Sequence, residues 1–540
     1  MILNEEGLKN TAEWESKGYD LPHYDRRAMV EETRKHPTWV HLGAGNLFRA
    51  FQANAAQKLL NKGVSKTGVI VAEGFDYEIA EKQYRPHDNY SILVTLKSDG
   101  SIEKTVIGSI AESCVMDSEN PAEWGRMKEI FAAPSLQMVS FTITEKGYSL
   151  VNGKGEVMPA VENDFKMGPA KPQSYIGKVT ALLYDRYQAG SLPIAMVSMD
   201  NCSHNGEKLL TAVKAYVEKW TEAGLVDNGF KDYIETSGKV SFPWTMIDKI
   251  TPRPDKSVEE MLRKDGLEGL DPVVTSRNTY VAPFVNSEET EYLVVEDVFP
   301  NGRPHLEDAG IMFTDRETVN KVERMKVCTC LNPLHTAMAV LGCLLGYTKI
   351  SDEMKDADIV GLIKGIGYQE GLPVVTNPGI LDPKKFIDTV IDVRLVNPFM
   401  PDTPQRIATD TSQKLSIRYG ETVKAYLASD KLNIKDLKRI PFVYAAWIRY
   451  LMGVNDNGEA FELSPDPLIP SLKPYVEGFK LGTVPSQEEL KQTLLPLLKN
   501  KQIFNVDLEE AGLSDEVLQY FAEMLKGTGA IRSTLHKVAE

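Results

Sequence analysis

The segment Lys326-Val-Cys-Thr-Cys-Leu-Asn332-Pro-Leu-His335 brings an amine, an amide and an imidazole together in one short stretch. That set suits proton transfer at an alcohol. A base must take the hydroxyl proton, and donors must hold the developing alkoxide. A lysine serves as the base once desolvation lowers its pKa towards neutrality. Asn332 can offer an amide N–H to the oxygen, and His335 can donate or relay within the same network. The three types also fit a plainer account: a surface lysine, a helix-capping asparagine and a satisfied core histidine.

A second constellation lies near the N-terminus. Gly43-Ala-Gly45 sits between a strand pattern and a helix pattern. Gly43 permits a tight turn, and Gly45 lets a pyrophosphate approach bare backbone. The following helix N-terminus, with Asn46 and Leu47, supplies free N–H donors and a positive dipole. Phe48 occupies the place of the usual third glycine. The next strand pattern ends at Ala72-Glu73, where a carboxylate can accept from an adenosine ribose and repel a 2′-phosphate, which favours NAD over NADP. Asp76 is a second candidate. The alternatives are a turn that merely needs glycine and a solvated loop acid.

The elements that must position these residues follow from periodicity. Thr38–Leu42, an Asn46–Asn61 helix and Gly68–Ala72 make a βαβ unit. Ser91–Leu96 and Glu103–Ile110 flank Ser98-Asp99-Gly100 as a hairpin. Gln137–Thr144, Pro193–Met199 and Leu293–Val298 read as further strands, the last being the final one. Beyond about residue 315, 319–347, 352–366, 413–428, 441–452 and 508–526 read as helices. The expected fold is α/β: an N-terminal arm (1–37), a Rossmann-like dinucleotide-binding domain (38–310) and a mostly α-helical C-terminal domain (311–540).

Composition narrows the partners. The 540 residues are 42% hydrophobic and 25% charged, with a formal net charge of -15. Such a balance suits large globular cores and disfavours nucleic acid. Five scattered cysteines suggest reduced thiols, and Cys328-Thr-Cys330 lacks the partners of a zinc site. The N-terminus has no basic start with an apolar run, and the apolar stretch 337–346 is too short and interrupted to span a bilayer. A cytoplasmic protein without membrane partners is the expectation.

Several ordered motifs carry a family resemblance: His41-Leu-Gly-Ala-Gly-Asn-Leu-Phe-Arg49-Ala, Thr144-Glu-Lys-Gly-Tyr148, Ser198-Met-Asp-Asn201-Cys-Ser-His-Asn-Gly206, Asp248-Lys-Ile-Thr-Pro252, Glu296-Asp297, Leu331-Asn-Pro-Leu-His335, Asp402-Thr-Pro-Gln-Arg406-Ile and Ala446-Trp-Ile-Arg-Tyr-Leu451. Over nearly all its length the chain resembles the polyol-specific long-chain dehydrogenases, the mannitol dehydrogenase family. The resemblance implies a metal-independent, nicotinamide-dependent enzyme with its active site between two domains. It makes Lys326 the general base, Asn201 and Asn332 the oxyanion donors, and His335 a substrate contact. Asp248, Arg406, Thr409 and Lys414 fall where the family holds the distal part of its substrate. Arg406 and Lys414 suit a carboxylate, one through a two-pronged contact and the other as a point charge. The N-terminal arm and the Cys-Leu-Asn-Pro-Leu-His variant are most similar to members that interconvert D-mannonate and D-fructuronate in hexuronate catabolism. A tagaturonate (altronate) or mannitol oxidoreductase is the alternative, and a catalytically silent sugar-acid or nucleotide sensor is the alternative of another class. Oligomeric state is not legible.

One departure carries a structural prediction. The family separates its lysine and asparagine by four residues, whereas five lie between Lys326 and Asn332. At about 100° per residue, the family spacing sets lysine and histidine about 80° apart on a helix, and the spacing here sets them about 180° apart. Pro333 already breaks a helical hydrogen bond. A one-residue bulge between Lys326 and Pro333 would return the lysine to the active face. Lys321, about 40° from His335 on an undistorted helix, is the fallback base.

Overall fold

Short, nearly continuous apolar runs in the first half build a sheet covered on both faces. The computed structural model describes residues 1–540. Its central sheet contains β1 (Trp39–Leu42), β2 (Val69–Glu73), β3 (Ile110–Val115), β4 (Met138–Phe141), β5 (Ile194–Ser198) and β6 (Val240–Ser241). All neighbours are parallel, in the order β3-β2-β1-β4-β5-β6. Val40, Leu42, Ile70, Ala72, Val139, Phe141 and Met196 enter one core. Trp39, Val69, Val71, Met138, Ala195 and Val197 enter the other. Pleating sends successive side chains to opposite faces, so helices must cover both. The strand order reverses beside β1, and that switch point opens a ligand crevice at the carboxyl ends.

Two strand expectations change. The run 103–110 is not one strand: Ile102–Ile107 pairs with Ser91–Leu96 in a separate sheet, and β3 begins at Ile110. The chain turns between them at Gly108, where a Cβ would stand 2.8 Å from Pro22 and 3.0 Å from Tyr90. A further short strand, Met312–Thr314, pairs parallel with Tyr292–Glu296 after the last one expected. The N-terminal residues are built into the same unit, with Trp14 fully buried and Tyr19–Asp20 pairing parallel with Ile102–Ile107.

Met1–Lys97 and Ser101–Asn320 form one compact unit, and Lys321–Glu540 forms the body of a second. The helix after the glycine turn continues into α1 (Ala53–Asn61). In the later part, α2 (Arg316–Met325) leads through a π-helical segment, Lys326–Cys330, into α3 (Asn332–Leu345). The run 316–345 is long and apolar enough to cross a membrane by composition, contrary to the reading of 337–346 alone, but 83% of its apolar window is buried in the protein. The helix α4 (Arg439–Tyr450) packs against α3. Its first turn is held by Glu370, which accepts from the N–H groups of Lys438 (2.8 Å), Arg439 (2.7 Å) and Ile440 (2.9 Å).

His41 links the fold to its solution behaviour. It is fully buried in β1, stacks on Phe48 with ring centroids 4.4 Å apart, and bonds Ser140 Oγ (2.7 Å) and Thr142 Oγ1 (2.8 Å). Burial pushes its pKa from 6.5 down to about 3. The unfolded chain therefore takes up this proton first, so the stability His41 contributes is intact above pH 6.5 and drains as pH falls towards 3. From pH 7.5 to 5, wild type should lose about 2 kcal/mol more than His41→Gln in urea unfolding. Parallel losses in the two proteins would refute this account.

Candidate active site

The glycine turn is shaped by contacts on one side and by open space on the other. Gly43 has φ +107°, and a Cβ there would lie 2.2 Å from the Thr142 carbonyl oxygen. No other residue fits. At Gly45 a Cβ would meet nothing within 4 Å. The protein itself does not demand glycine there, whereas a pyrophosphate laid against the backbone would. The residues present thus fit a dinucleotide. Asn46 begins the helix and accepts from Arg49 at 2.9 Å, and Leu47 is half-buried. Phe48, at the place of the missing third glycine, is fully buried against His41.

Glu73 is not a solvated loop acid. Its Oε2 accepts from the Ala44 N–H at 3.0 Å, inside the glycine turn, and its Oε1 accepts from Phe75 (2.9 Å) and Asp76 (3.2 Å). Tyr84 Oη donates to the Ala44 carbonyl at 2.9 Å from the other side. Burial raises the Glu73 pKa against the pull of those three amides. Oε1 thus accepts twice and Oε2 once, so Oε2 keeps a lone pair for a further donor. Asp76 is buried and accepts from Thr275 Oγ1 at 2.6 Å. Three neighbours escaped the sequence reading. Phe75 is 60% exposed and lies under the Arg277 guanidinium, 4.2 Å from its ring centroid. Lys178, buried, donates to the Gly74 carbonyl (3.1 Å) and Tyr77 Oη (2.6 Å), and burial lowers its pKa to about 8. Lys178 and Arg277 lie far along the chain from β2, so no local pattern ties them to it.

At the end of β5, Asp200 accepts from the N–H groups of Ile143 (2.9 Å) and Thr144 (2.8 Å) and from Tyr148 Oη (2.5 Å). These bonds hold Thr144 at φ +63°, a conformation costly for a β-branched residue. Asn201 follows at the surface. Asn205 secures the turn from below, donating to the Asp200 carbonyl at 3.0 Å and to Thr245 Oγ1 at 2.8 Å. Asp248 is buried at the end of Thr245–Asp248.

In the second unit the helix breaks where the spacing required. The Leu331 N–H donates to the Lys326 carbonyl, five residues back, at 3.1 Å. Regular α bonding resumes with His335 N–H to the Leu331 carbonyl at 3.0 Å. The extra residue is absorbed, and Lys326 returns to about 80° from His335. Lys326 is buried (4% exposed), while Lys321 on α2 is half-buried. Cys328 and Cys330 are buried free thiols. Burial pushes the His335 pKa down to about 4, opposed by Asp402, so the ring is neutral near pH 7. Its Nε2 lies 3.8 Å from Asp402 Oδ2 and has no hydrogen-bond partner in the protein.

Cations surround that histidine. Arg394, Arg406 and Arg418 all press its pKa down. Arg406 is ion-paired with Asp402, and Lys414 donates to the Thr409 carbonyl. Arg394 and Arg418 were not singled out from the sequence. Both lie in π-helical segments, Val390–Arg394 and Ser416–Gly420. The second of these packs against Lys326–Cys330. For Arg418 a cue existed, since it stands four residues after Lys414 on the same helical run. Arg394 offered none.

A parallel sheet with a glycine turn at its switch point, in a chain that also carries a buried lysine phased with an asparagine and a histidine, defines an oxidoreductase with a dinucleotide-binding domain. The chain belongs to the mannitol dehydrogenase family: residues 37–308 match the mannitol dehydrogenase Rossmann domain and residues 318–525 the mannitol dehydrogenase C-terminal domain. It is 51% identical over 540 residues to the D-mannonate oxidoreductase of Thermotoga maritima, covering 100% of this chain and 99% of the relative. It is 29% identical over 435 residues to a polyol:NADP oxidoreductase of Gluconobacter oxydans, covering 79% of this chain and 83% of that one. Among solved structures, substrate-free D-sorbitol dehydrogenase superposes with a TM-score of 0.78 at 26% identity, covering 100% of both chains. Pseudomonas fluorescens mannitol 2-dehydrogenase, in a ternary complex with NAD and D-mannitol, superposes with a TM-score of 0.67 at 26% identity, covering 99% of each.

The contrast between the two glycines is measurable. Gly45→Ala should keep wild-type thermal stability yet weaken NADH binding about tenfold or more, as read by fluorescence titration. Gly43→Ala should cost about 2–4 kcal/mol of stability through its forced φ and its clash with Thr142. Unchanged NADH affinity in a folded Gly45→Ala protein would remove the dinucleotide from this turn.

Proposed function

We propose that this protein interconverts D-mannonate and D-fructuronate with NAD(H), in hexuronate catabolism. The observation that carries the mechanism is the π-turn at Lys326–Cys330, which phases a buried lysine with Asn332 and with the unpartnered Nε2 of His335. The substrate assignment is supported by the full-length likeness to the Thermotoga maritima protein.

In the oxidation direction, Lys326 takes the carbinol hydroxyl proton on its side-chain nitrogen, and in reduction it returns it. Asn201 and Asn332 donate amide N–H groups to the oxygen as it gains charge. His335 stays neutral and contacts a substrate hydroxyl. Asp248, Arg406, Thr409 and Lys414 hold the distal part of the chain. The dinucleotide is held by Gly43, Gly45, Asn46, Leu47 and Glu73, and hydride exchange with the carbinol carbon is the chemistry it supplies when bound. The proposed base is an amine, not a metal-bound hydroxide.

An assay of NADH oxidation with fructuronate, tagaturonate and fructose, repeated with NADPH, tests the reading. Fructuronate with NADH should give the highest kcat/KM. Tight NADH binding without turnover of any of the three would instead favour a sensor. Lys326→Met should lower kcat by about 10²–10⁴ while leaving NADH affinity intact. Helical phase can be tested separately. Deleting Val327 restores the shorter spacing on a regular helix and should keep measurable turnover, whereas inserting an alanine after Val327 should cost on the order of 100-fold.

A further inference from the structure

We propose that Arg418 is the residue that reads the substrate's carboxylate, and so sets the preference for a sugar acid over a neutral ketose. This rests on the sugar-acid reading above and assigns the role to a residue other than Arg406 or Lys414.

Arg418 is half-buried, and its guanidinium donates to the hydroxyl of Thr336, next to His335. Burial lowers its pKa to about 10, and Tyr419, not a carboxylate, is the one group acting against that. An arginine partly desolvated in this way normally sits against an acid, because an uncompensated charge is costly away from water. Three neighbouring cations are already engaged. Arg406 is 63% exposed at its side chain and pairs with Asp402, Lys414 holds a backbone carbonyl, and Arg324 pairs with Glu421 at 2.9 Å.

The placement is also rigid. Tyr419, fully buried, donates its hydroxyl to the Pro333 carbonyl at 2.5 Å. Ser416–Gly420 is thus tied to the first turn of α3 at Pro333 and again at Thr336. Asn332 and His335 lie in that same turn. A substrate whose carbinol oxygen meets Asn332 and whose hydroxyl meets His335 would extend its chain along this turn. A carboxylate at the far end matches the planar two-pronged face of a guanidinium better than a hydroxymethyl does. It would also supply the counter-charge that Arg418 lacks.

The test compares kcat/KM for fructuronate and fructose in wild type, Arg418→Met and Arg418→Lys. The ratio of uronate to neutral ketose should fall on the order of 100-fold in Arg418→Met. In Arg418→Lys, which keeps the charge but not the fork, it should fall about tenfold. Added guanidinium ion should recover part of the uronate activity of Arg418→Met and none of its fructose activity. Should Arg418→Met lose its cooperative melt, Arg418→Lys carries the same comparison. A wild-type ratio in a folded variant overturns the assignment of Arg418 while leaving the sugar-acid reading intact. A wild type that turns over fructose but not fructuronate overturns both.

Discussion

A helix has a fixed angular step, so inserting one residue between two side chains turns them away from each other. That constraint governs the second unit of this protein. The carbonyl of Lys326 accepts from the Leu331 N–H across a π-turn, and the surplus residue is taken up there instead of being passed on to His335. Pro333 has no N–H to place, and α bonding resumes at His335. Close packing keeps the turn in place. Gly371 lies so near that a Cβ there would stand 2.8 Å from Thr329 Cγ2. Ser416–Gly420, itself π-helical, also packs against it.

The dinucleotide-binding unit meets an analogous demand with buried polar groups. A turn tight enough for Gly43 leaves amides and carbonyls in a water-poor place, and each needs a partner. Glu73 and Tyr84 take the two polar groups of Ala44, and the Gly43 N–H reaches the Ala72 carbonyl at 3.0 Å. One acid therefore joins the end of β2 to the turn after β1. Asp200 does the same at the end of β5, holding the backbone of 143–144 beside Asn201. In both places a carboxylate shapes a loop before any ligand arrives, which lowers the ordering cost of binding.

Electrostatics divide the two units. Around Gly43–Gly45, Glu73 is held by backbone amides and Asp76 by a threonine hydroxyl, and the cations Lys178 and Arg277 stand near the exposed ring of Phe75. Around His335, burial and several arginines keep the imidazole neutral, so it can donate or accept without bringing a charge of its own. The net charge of the whole chain, -15, gives no hint of this local excess of cations. A bulk average does not report where charges of opposite sign are sorted.

Much was legible from residue order alone. The short apolar runs of β1, β2, β4 and β5, the glycine turn and the helical character beyond residue 315 all reflect local rules, since backbone geometry sets which side chains share a face. The break after Lys326 was also legible, because helical phase is arithmetic on sequence positions. What only the tertiary structure decided is where distant polar groups meet. The join of Glu73 to Ala44, the ring of Phe75 under Arg277, the split of 103–110 between two sheets and the bond of Arg418 to Thr336 each depend on segments remote in the chain. Sequence spacing carries no information about such contacts until packing brings the segments together, and packing is a property of the whole core.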